Sequence, residues 1–436
     1  MSLLHDEIKE LSVKVHPEAV DFAVRLIQTK SISCNEKAVA DCYMNEMRKL
    51  GYESVFRDEM GNVVGCITFS DDGPAIMYNS HMDHVDEGAL DNWQGYDPYG
   101  GLLDECQVDN QDASAQEIAC CIHGRAASDV KGGAAVAVYT GAMLKELKQR
   151  GFAIKGKFIF TGVVQEEPAE CAGMSYLIDT TFPKHNLTYD AMVSSEASSL
   201  RLVLGSRGRV ELLVTIQGRT SHASTPWRGI NAIEKAAYFL SALRELADKL
   251  PCDDDLGRAT IAPTIISCTP GQLSIIPDRC QIAIDRRLLP GETAETAMDE
   301  IQTIIDTIKR QDTTFSAEVK VNSIPQTSYT GLTHVLPKAM VAWKIAKDHP
   351  FVTACAEALE AVGQEVQYSY WDFGTDASKT AGLDRKPCIG YSPMQEQYAH
   401  TPYDKVRCDY IRKALAGNAA IYIAVSSRTR ETFKAI

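Results

Sequence analysis

The chain has 436 residues, of which 45% are hydrophobic and 23% are charged, and its formal net charge is −14. This composition is typical of a globular protein with two or three domains, and it excludes disordered and fibrous proteins. The acidic balance argues against a nucleic-acid partner. The longest weakly polar run, 132–144, is much shorter than the roughly 20 residues of a membrane helix, so no membrane association is expected.

Two features indicate the compartment. The first residues mix charged and helix-spaced apolar positions and lack the unbroken apolar stretch of a signal peptide. The thirteen cysteines are odd in number and include no C-x-x-C pair, which is typical of reduced thiols rather than of a disulfide framework. We therefore expect a cytoplasmic protein.

Three short β-type runs each lead into a histidine or an acidic residue. They are 75–80 before His81, 157–165 before Glu166, and 191–195 before Glu196. In open α/β sheets, ligands bind beyond the carboxyl ends of the strands. The three runs therefore predict one crevice that receives all three side chains.

Between the first two runs lies a predicted helix that packs on the sheet. Its apolar residues recur at helical spacing, at Val136, Tyr139, Met143, Leu144 and Leu147. Gly132 and Gly133 open its first turn. Asp129 is therefore expected just before the start of this helix.

From 209 to 322 the pattern changes to the order βαββαβ. The predicted strands are 209–217, 259–268, 279–287 and 315–322, and the predicted helices are 231–250 and 294–310. This order is typical of a ferredoxin-like domain. On the first helix, an apolar stripe is expected in the core of this domain, at Ile233, Ala236, Ala237, Leu240, Leu243 and Leu250.

His81 and Asp83 form an H-x-D sequence at a predicted strand end. An imidazole there can bind a metal ion while a nearby carboxylate orients it. A surface loop is the better explanation of a lone H-x-D. Asp129 lies among small residues at a helix entry, where the helix dipole favours a carboxylate that could bridge two cations. Capping of the helix by Ser128 or Asp129 explains that segment equally well.

Glu166 and Glu167 are adjacent carboxylates after an apolar strand, and they repel each other unless a metal ion or a proton neutralises one. One can bind metal while the other takes a proton from water and passes it to the leaving amine. The alternative is an exposed acidic turn. Glu196 and His400 complete a set of nitrogen and oxygen ligands that suits two ions of zinc, or of cobalt or manganese.

Read in order, eight segments resemble the dizinc aminoacylase/carboxypeptidase family, which includes acetylornithine deacetylase, succinyl-diaminopimelate desuccinylase and glutamate-releasing carboxypeptidases. The segments are NSHMDHVDEG, GRAASDVKGG, VVQEEP, SSEAS, GRTSHASTPWRGINAI, IIPDRCQIAIDRRLLPGE, GTDAS and AHTPYDKV. The stretches SRGRVELLVTIQG and YTGL and the DRR pair are also similar to a selenium-metabolism-linked hydrolase branch. The resemblance spans nearly the whole chain.

The resemblance implies an α/β fold with a zinc-peptidase-like catalytic domain, whose mixed sheet is flanked by helices, and an inserted ferredoxin-like lid and dimerisation domain. We expect the catalytic domain to comprise 1–208 and 324–436 and the inserted domain to comprise 209–323.

The resemblance also implies a role for each matching residue. The expected metal ligands are His81, Glu196, Glu167 and His400, with Asp129 as the bridge, and the expected base is Glu166. Asp83 would orient His81. His222 would reach the site of a partner subunit and polarise the substrate carbonyl.

On the substrate side, Arg287 would bind a carboxylate, unless it only forms a salt bridge on its strand. Gly374 and Thr375 match the family's substrate loop. We interpret Asp376, in the same loop, as a helix cap.

The function expected from these residues is metal-dependent hydrolysis of an amide bond in N-acyl amino acids or short peptides. The attacking group would be a water that bridges the two metals, most readily two zinc ions. Deacetylases, desuccinylases and carboxypeptidases all add water to an amide carbonyl, so these residues do not distinguish among the three activities. The expected assembly is a homodimer through the inserted domain. The alternative is a non-catalytic metal- or ligand-binding homologue, against which the spare carboxylate of Glu166 argues.

Overall fold

The computed structural model describes residues 2–93, 95–168 and 171–436. Within this part of the chain, no helix is both long and apolar enough to cross a lipid bilayer. Its α-helices are α1 (Ser2–Gln28), α2 (Lys37–Lys49), α3 (Gly132–Gln149), α4 (Ala172–Tyr176), α5 (Phe182–Lys184), α6 (Ala232–Ala247), α7 (Ala294–Gln311), α8 (Pro350–Ala361) and α9 (Cys408–Ser426).

The strands are numbered in chain order. They are β1 (Ser54–Arg57), β2 (Val63–Thr68), β3 (Ala75–His81), β4 (Leu102–Asp109), β5 (Gln116–His123), β6 (Lys157–Val163), β7 (Ala191–Ser194), β8 (Leu202–Ser206), β9 (Gly208–Gln217), β10 (Cys252–Asp253), β11 (Gly257–Arg258), β12 (Thr260–Thr269), β13 (Arg279–Leu288), β14 (Ser316–Val321), β15 (Gln326–Thr327), β16 (Thr333–His334), β17 (Ala339–Met340), β18 (Trp343–Lys344), β19 (Tyr368–Trp371), β20 (Cys388–Gly390) and β21 (Lys405–Arg407).

The main sheet is mixed, in the order β1-β2-β6-β3-β7-β20-β8-β18, with β19 also paired to β8. Its central strands β6, β3, β7 and β20 run parallel. Every residue of β3 is buried, because both faces of a parallel sheet are covered. Helices α3 and α9 contact β3, and α1 and α8 pack against these helices in turn. The predicted mixed sheet flanked by helices is confirmed.

A second sheet in the order β12-β13-β9-β14 is antiparallel throughout. With α6 after β9 and α7 after β13, the chain order is the predicted βαββαβ, and the ferredoxin-like fold is confirmed. We call the stretch from β9 to β14 the inserted unit. It has its own buried cluster, which includes Val214, Phe239, Ile282 and Ile301. The domain limits given above remain predictions.

One face of the inserted unit is apolar and exposed. The expectation that Ile233 and Ala237 belong to its core is wrong, because Phe239 fills the buried side of α6 and turns both of them outward. Strand β12 lies at the sheet edge and is exposed along most of its length. Tyr238, Ile265 and Ile266 are 62%, 65% and 55% exposed. We call α6 and β12 the apolar face.

A small sheet brings two distant segments together. Strand β21 pairs antiparallel with β5, with Lys405 opposite His123. The backbone N–H of Gly124 donates to the carbonyl of Asp404 at 3.0 Å. The segment 399–404 therefore lies beside the turn that precedes α3.

Candidate metal centre and substrate pocket

The three predicted strand ends meet at one edge of the main sheet. His81 ends β3, the pair Glu166 and Glu167 follows β6, and Glu196 follows β7. Strand β3 lies between β6 and β7, parallel to both, so the carboxyl ends of all three strands lie at the same edge.

Asp129 lies in an irregular turn before α3. The carboxylate of Asp404 accepts hydrogen bonds from the backbone N–H groups of Ala126 and Ser128, both at 2.8 Å. Ser128 donates its hydroxyl to the carbonyl of Lys405, and within the described part of the chain no side chain caps the first turn of α3. The capping alternative for this segment is therefore wrong. Asp404 was not predicted, because its role depends on the pairing of β21 with β5.

The side chain of Asp129 joins two groups of possible metal ligands. Its Oδ1 lies 3.0 Å from Nε2 of His81, and its Oδ2 lies 2.8 Å from Nε2 of His400. Nε2 of His81 also lies 3.6 Å from Oε1 of Glu196, and Nε2 of His400 lies 3.4 Å from Oε1 of Glu167. The ligand atoms within each group lie within 4.8 Å of one another.

The electrostatics of this cluster favour cations. Burial, together with the charge of Asp129 and against the opposing charge of His81, raises the pKa of Glu196 to about 8. Burial opposes ionisation of Asp129, but hydrogen bonds from His400 and His81 hold its pKa below the usual range. Hydrogen bonds to Asp129 and Glu167 raise the pKa of His400 to about 10. Buried carboxylates that lie close together repel each other when they are ionised. A divalent cation bound between them would offset this repulsion.

Asp83 connects His81 to the turn after β6. Its backbone carbonyl lies 2.9 Å from Nδ1 of His81, whereas its carboxylate lies 3.6 Å away. The carboxylate instead accepts the backbone N–H groups of Glu166 and Glu167, at 3.0 and 3.2 Å. The expected orientation of His81 by the carboxylate is thus supplied by the backbone carbonyl.

Glu166 is in neither ligand group and lines the pocket beside them. Burial raises the pKa of its carboxyl group well above the ordinary value, and the charges of Glu196, Asp376 and Glu167 add to this effect. The pocket has a volume of about 330 Å³. Its walls also include residues that the sequence did not predict, among them Ala197, Met340, Phe373, Glu396 and Ala399.

The inserted unit contributes two arginines to this pocket, Arg287 and Arg209. Both guanidinium groups bind Asp285, with Nε to carboxylate distances of 2.7 Å. Nη2 of Arg209 also lies 2.8 Å from Glu211. Arg287 was expected here and does form the alternative salt bridge on its strand. Arg209 was missed, although polar residues at 209 and 211 alternate with buried ones along β9.

The loop at 374–376 divides its residues between the pocket and the core. Gly374 lines the pocket, whereas Thr375 is fully buried and accepts the N–H of Ala377 through its hydroxyl. Asp376 is buried, and its Oδ2 accepts a hydrogen bond from Asn79 at 3.2 Å. Among the described residues, no side chain caps the helical turn that follows, 378–383. The interpretation of Asp376 as a cap is therefore wrong, because it faces the sheet.

His222 lies apart from this pocket. It is exposed on the inserted unit, and its Nδ1 lies 2.7 Å from the hydroxyl of Ser224. It is absent from the described lining of the pocket in its own chain.

Residues 204–313 match the family model of the M20 peptidase dimerisation domain. The uncharacterised protein YgeY of Escherichia coli K12 is 33% identical to the chain over 398 residues, which are 91% of this chain and 91% of YgeY. The probable succinyl-diaminopimelate desuccinylase of Staphylococcus aureus MSSA476 is 27% identical over 201 residues, or 46% of this chain and 44% of that protein.

The fold is also that of solved M20 structures. The Bacillus subtilis protein YXEP, a dinuclear metal-binding peptidase of the M20 family, superimposes with a TM-score of 0.66 at 15% identity. The match covers 95% of this chain and 99% of that chain. The family suggested by the sequence motifs is confirmed, and the chain belongs to the M20 family of metal-dependent hydrolases, which comprises metallopeptidases and aminoacylases.

Proposed function

We propose that this protein is a dinuclear amidohydrolase that cleaves N-acyl amino acids or short peptides with a free carboxylate. The observation that carries the proposal is the position of Asp129, whose two carboxylate oxygens each contact one histidine of a separate ligand group. A carboxylate with this geometry can bridge two ions.

The residues fit such a pair of ions. His81 and Glu196 would hold one ion, Glu167 and His400 would hold the other, and Asp129 would join them. Imidazole and carboxylate ligands suit zinc, and also cobalt or manganese. When bound, the ions supply positive charge that polarises the amide carbonyl and makes an attacking water more acidic.

Glu166 is the proposed general base. It lines the pocket, lies next to a proposed ligand and belongs to neither ligand group. It would accept a proton from the attacking water and deliver it to the nitrogen of the leaving amine. The backbone N–H groups of Glu166 and Glu167 both donate to the carboxylate of Asp83, which holds the two residues side by side at the site.

The pocket supports a small anionic substrate. Its volume of about 330 Å³ suits an acyl amino acid or a short peptide. Arg287 and Arg209 present two guanidinium groups to the pocket, held in place by Asp285 and, for Arg209, also by Glu211. A guanidinium group is a suitable partner for a substrate carboxylate. The loop of Gly374 and Thr375 is the proposed substrate loop, in which Gly374 lines the pocket and Thr375 is buried.

A homodimer would complete the site. Exposed apolar patches of this kind mark protein interfaces, and the apolar face of α6 and β12 lies within the residues that match the dimerisation-domain model. His222 lies on the same unit, outside its own pocket, and would polarise the substrate carbonyl in the partner's pocket. The thirteen free thiols support a cytoplasmic location for this dimer.

The test is a hydrolysis screen of the purified protein loaded with zinc, cobalt or manganese. Its substrates are N-acetyl, N-succinyl and N-formyl amino acids and dipeptides, with the matching carboxyl amides as controls. We expect turnover of at least one carboxylate substrate, loss of turnover with a chelator, and recovery when metal is restored. Activity that is indifferent to chelation, or no turnover in any metal form, would overturn the proposal.

A further inference from the structure

The turn that carries Glu166 is held by side chains from other parts of the chain. Four consecutive backbone N–H groups donate to side-chain oxygens, from Val164 to Asn62, from Gln165 to Glu36, and from Glu166 and Glu167 to Asp83. Because a backbone donor buried without a partner is costly, these bonds specify the path of the turn.

Gln165 is the strained residue of this turn. It has a φ of 58°, in the left-handed region that residues other than glycine rarely adopt, and its side chain is fully buried. Such a conformation persists only when the surrounding structure over-determines it. The next residue is Glu166, so the conformation at Gln165 sets the direction in which the proposed base leaves the sheet.

The side chain of Gln165 is held at both of its polar atoms. Its amide Nε2 donates to Sγ of Cys34 at 2.9 Å. Its Oε1 lies 2.7 Å from Nε2 of His334. Because an amide oxygen can only accept, Nε2 of His334 carries the proton and donates it. Nδ1 of His334 is buried and has no hydrogen-bond partner among the residues that the structure describes.

His334 belongs to the segment by which the chain returns from the inserted unit. We call residues 322–340 the return strap. At both ends the strap is bonded to β9, through the N–H of Asn322 to Glu211 and through the pairing of β17. Between these ends, the hairpin of β15 and β16 is bonded to residues outside the inserted unit. The hydroxyl of Thr330 donates to the carbonyl of Glu59, and His334 bonds Gln165.

We propose that His334 is a positioning residue for the base. It acts through Gln165, and it ties the direction of Glu166 to the strap that leaves the inserted unit. Removing the Nε2–H of His334 leaves the buried side-chain oxygen of Gln165 without this hydrogen bond. The backbone of Gln165 can then adopt conformations other than the left-handed one. This inference rests on the proposed role of Glu166.

The matched pair of variants is His334→Gln and His334→Asn. The longer amide can place its nitrogen where Nε2 stands, whereas the shorter one cannot reach Gln165. We expect His334→Gln to keep most activity. We expect His334→Asn to lower kcat about tenfold to hundredfold, because small misplacements of a catalytic group have such effects. KM and bound metal should stay within about twofold of the wild-type values.

Thr330→Ala is the control, because it removes another bond of the same hairpin and should leave kcat unchanged. Gln165→Met removes the acceptor instead of the donor and gives a second route should His334→Asn fail to fold. If His334 acts through Gln165, adding His334→Asn to Gln165→Met lowers kcat no further. The proposal would be overturned if the double variant lowered kcat by the product of the two single-variant factors. A wild-type kcat in His334→Asn would overturn it as well.

Hydrogen exchange gives a readout that does not depend on activity. The amides of 164–167 should exchange about tenfold faster in His334→Asn than in wild type or Thr330→Ala. Unchanged exchange would contradict the coupling. If the metal-loaded wild type hydrolyses no amide, the proposed function fails, and the exchange measurement still decides whether His334 holds the turn.

Discussion

The backbone N–H of Glu166 donates to Oδ1 of Asp83 at 3.0 Å. Through its own carbonyl, Asp83 also holds the imidazole of His81. One residue therefore fixes a proposed ligand and the proposed base relative to each other. Catalysis by orientation requires that such groups keep a fixed geometry relative to each other.

Replacing Glu166 by Gln tests its role as the base. The amide keeps the shape of the side chain but cannot accept the proton, so kcat should fall by about 10³-fold. Glu166 is in neither ligand group, and metal content should therefore stay at the wild-type value. Steady-state kinetics and elemental analysis measure the two quantities. Glu318→Gln, an exposed change on β14, is the control, and wild-type activity in Glu166→Gln would exclude the role.

Metal stoichiometry tests the bridging role of Asp129. Because its oxygens contact both His81 and His400, Asp129→Ala should weaken both sites. His400→Ala should weaken only one. Elemental analysis after dialysis against a weak chelator should give about two ions in wild type, one in His400→Ala and none in Asp129→Ala. Equal metal contents in the two variants would contradict a shared ligand.

Metal affinity should rise with pH. In the metal-free protein the pKa of His400 is raised from 6.5 to about 10 by Asp129 and Glu167. The ion pair therefore stabilises the metal-free fold fully below pH 6.5 and ceases to do so as pH rises through about 10. A metal ion must displace this proton, so affinity should increase about tenfold per pH unit for each histidine that loses one. Zinc competition titrations at pH 6.5 and 8.5 measure the slope, and a flat profile would refute it.

Arg287 should affect substrate binding more than turnover. Loss of a hydrogen bond to a charged group costs about 1.5–3 kcal/mol, so Arg287→Met should raise KM for a carboxylate substrate about tenfold or more. The corresponding carboxyl amide should show little change. Arg279→Met, on the exposed start of the same strand, is the matched control. An equal loss for the acid and the amide would show that Arg287 only braces Asp285.

The proposed dimer can be tested together with His222. Ile265→Asp on the apolar face should give particles with the mass of one chain in sedimentation velocity, whereas Leu102→Asp, on exposed strand β4, should not. Mixed subunits of His222→Ala and Glu166→Gln should recover part of the activity, because a hybrid dimer contains one intact site. No recovery despite proven subunit exchange would count against a shared site.

The sequence allowed prediction of those features of the fold and the site that depend on local patterns of residues. His81, Glu166 and Glu196 each follow an apolar run, and the carboxyl ends of parallel strands coincide. The inserted unit followed from alternation in β13 and helical spacing in α7.

Long-range packing accounts for what was missed. Asp404 acts on a turn more than 270 positions away in the chain, and nothing nearby in the sequence indicates this. Asp376 resembles a cap locally, but it faces Asn79 in the core. Ile233 fits the helical stripe, and only the packing of Phe239 turns it outward.

The position of β20 in the main sheet determines when this sheet can be completed as the chain is synthesised. This strand lies between β7 and β8, yet it is translated long after both of them, and α9 follows it. The gap between β7 and β8 therefore stays open on the ribosome until the last part of the chain emerges. The inserted unit draws all its core strands from one continuous stretch and can fold first. The edges of β7 and β8 that β20 covers stay unpaired during this delay, and unpaired strand edges are the parts of a folding chain that tend to aggregate.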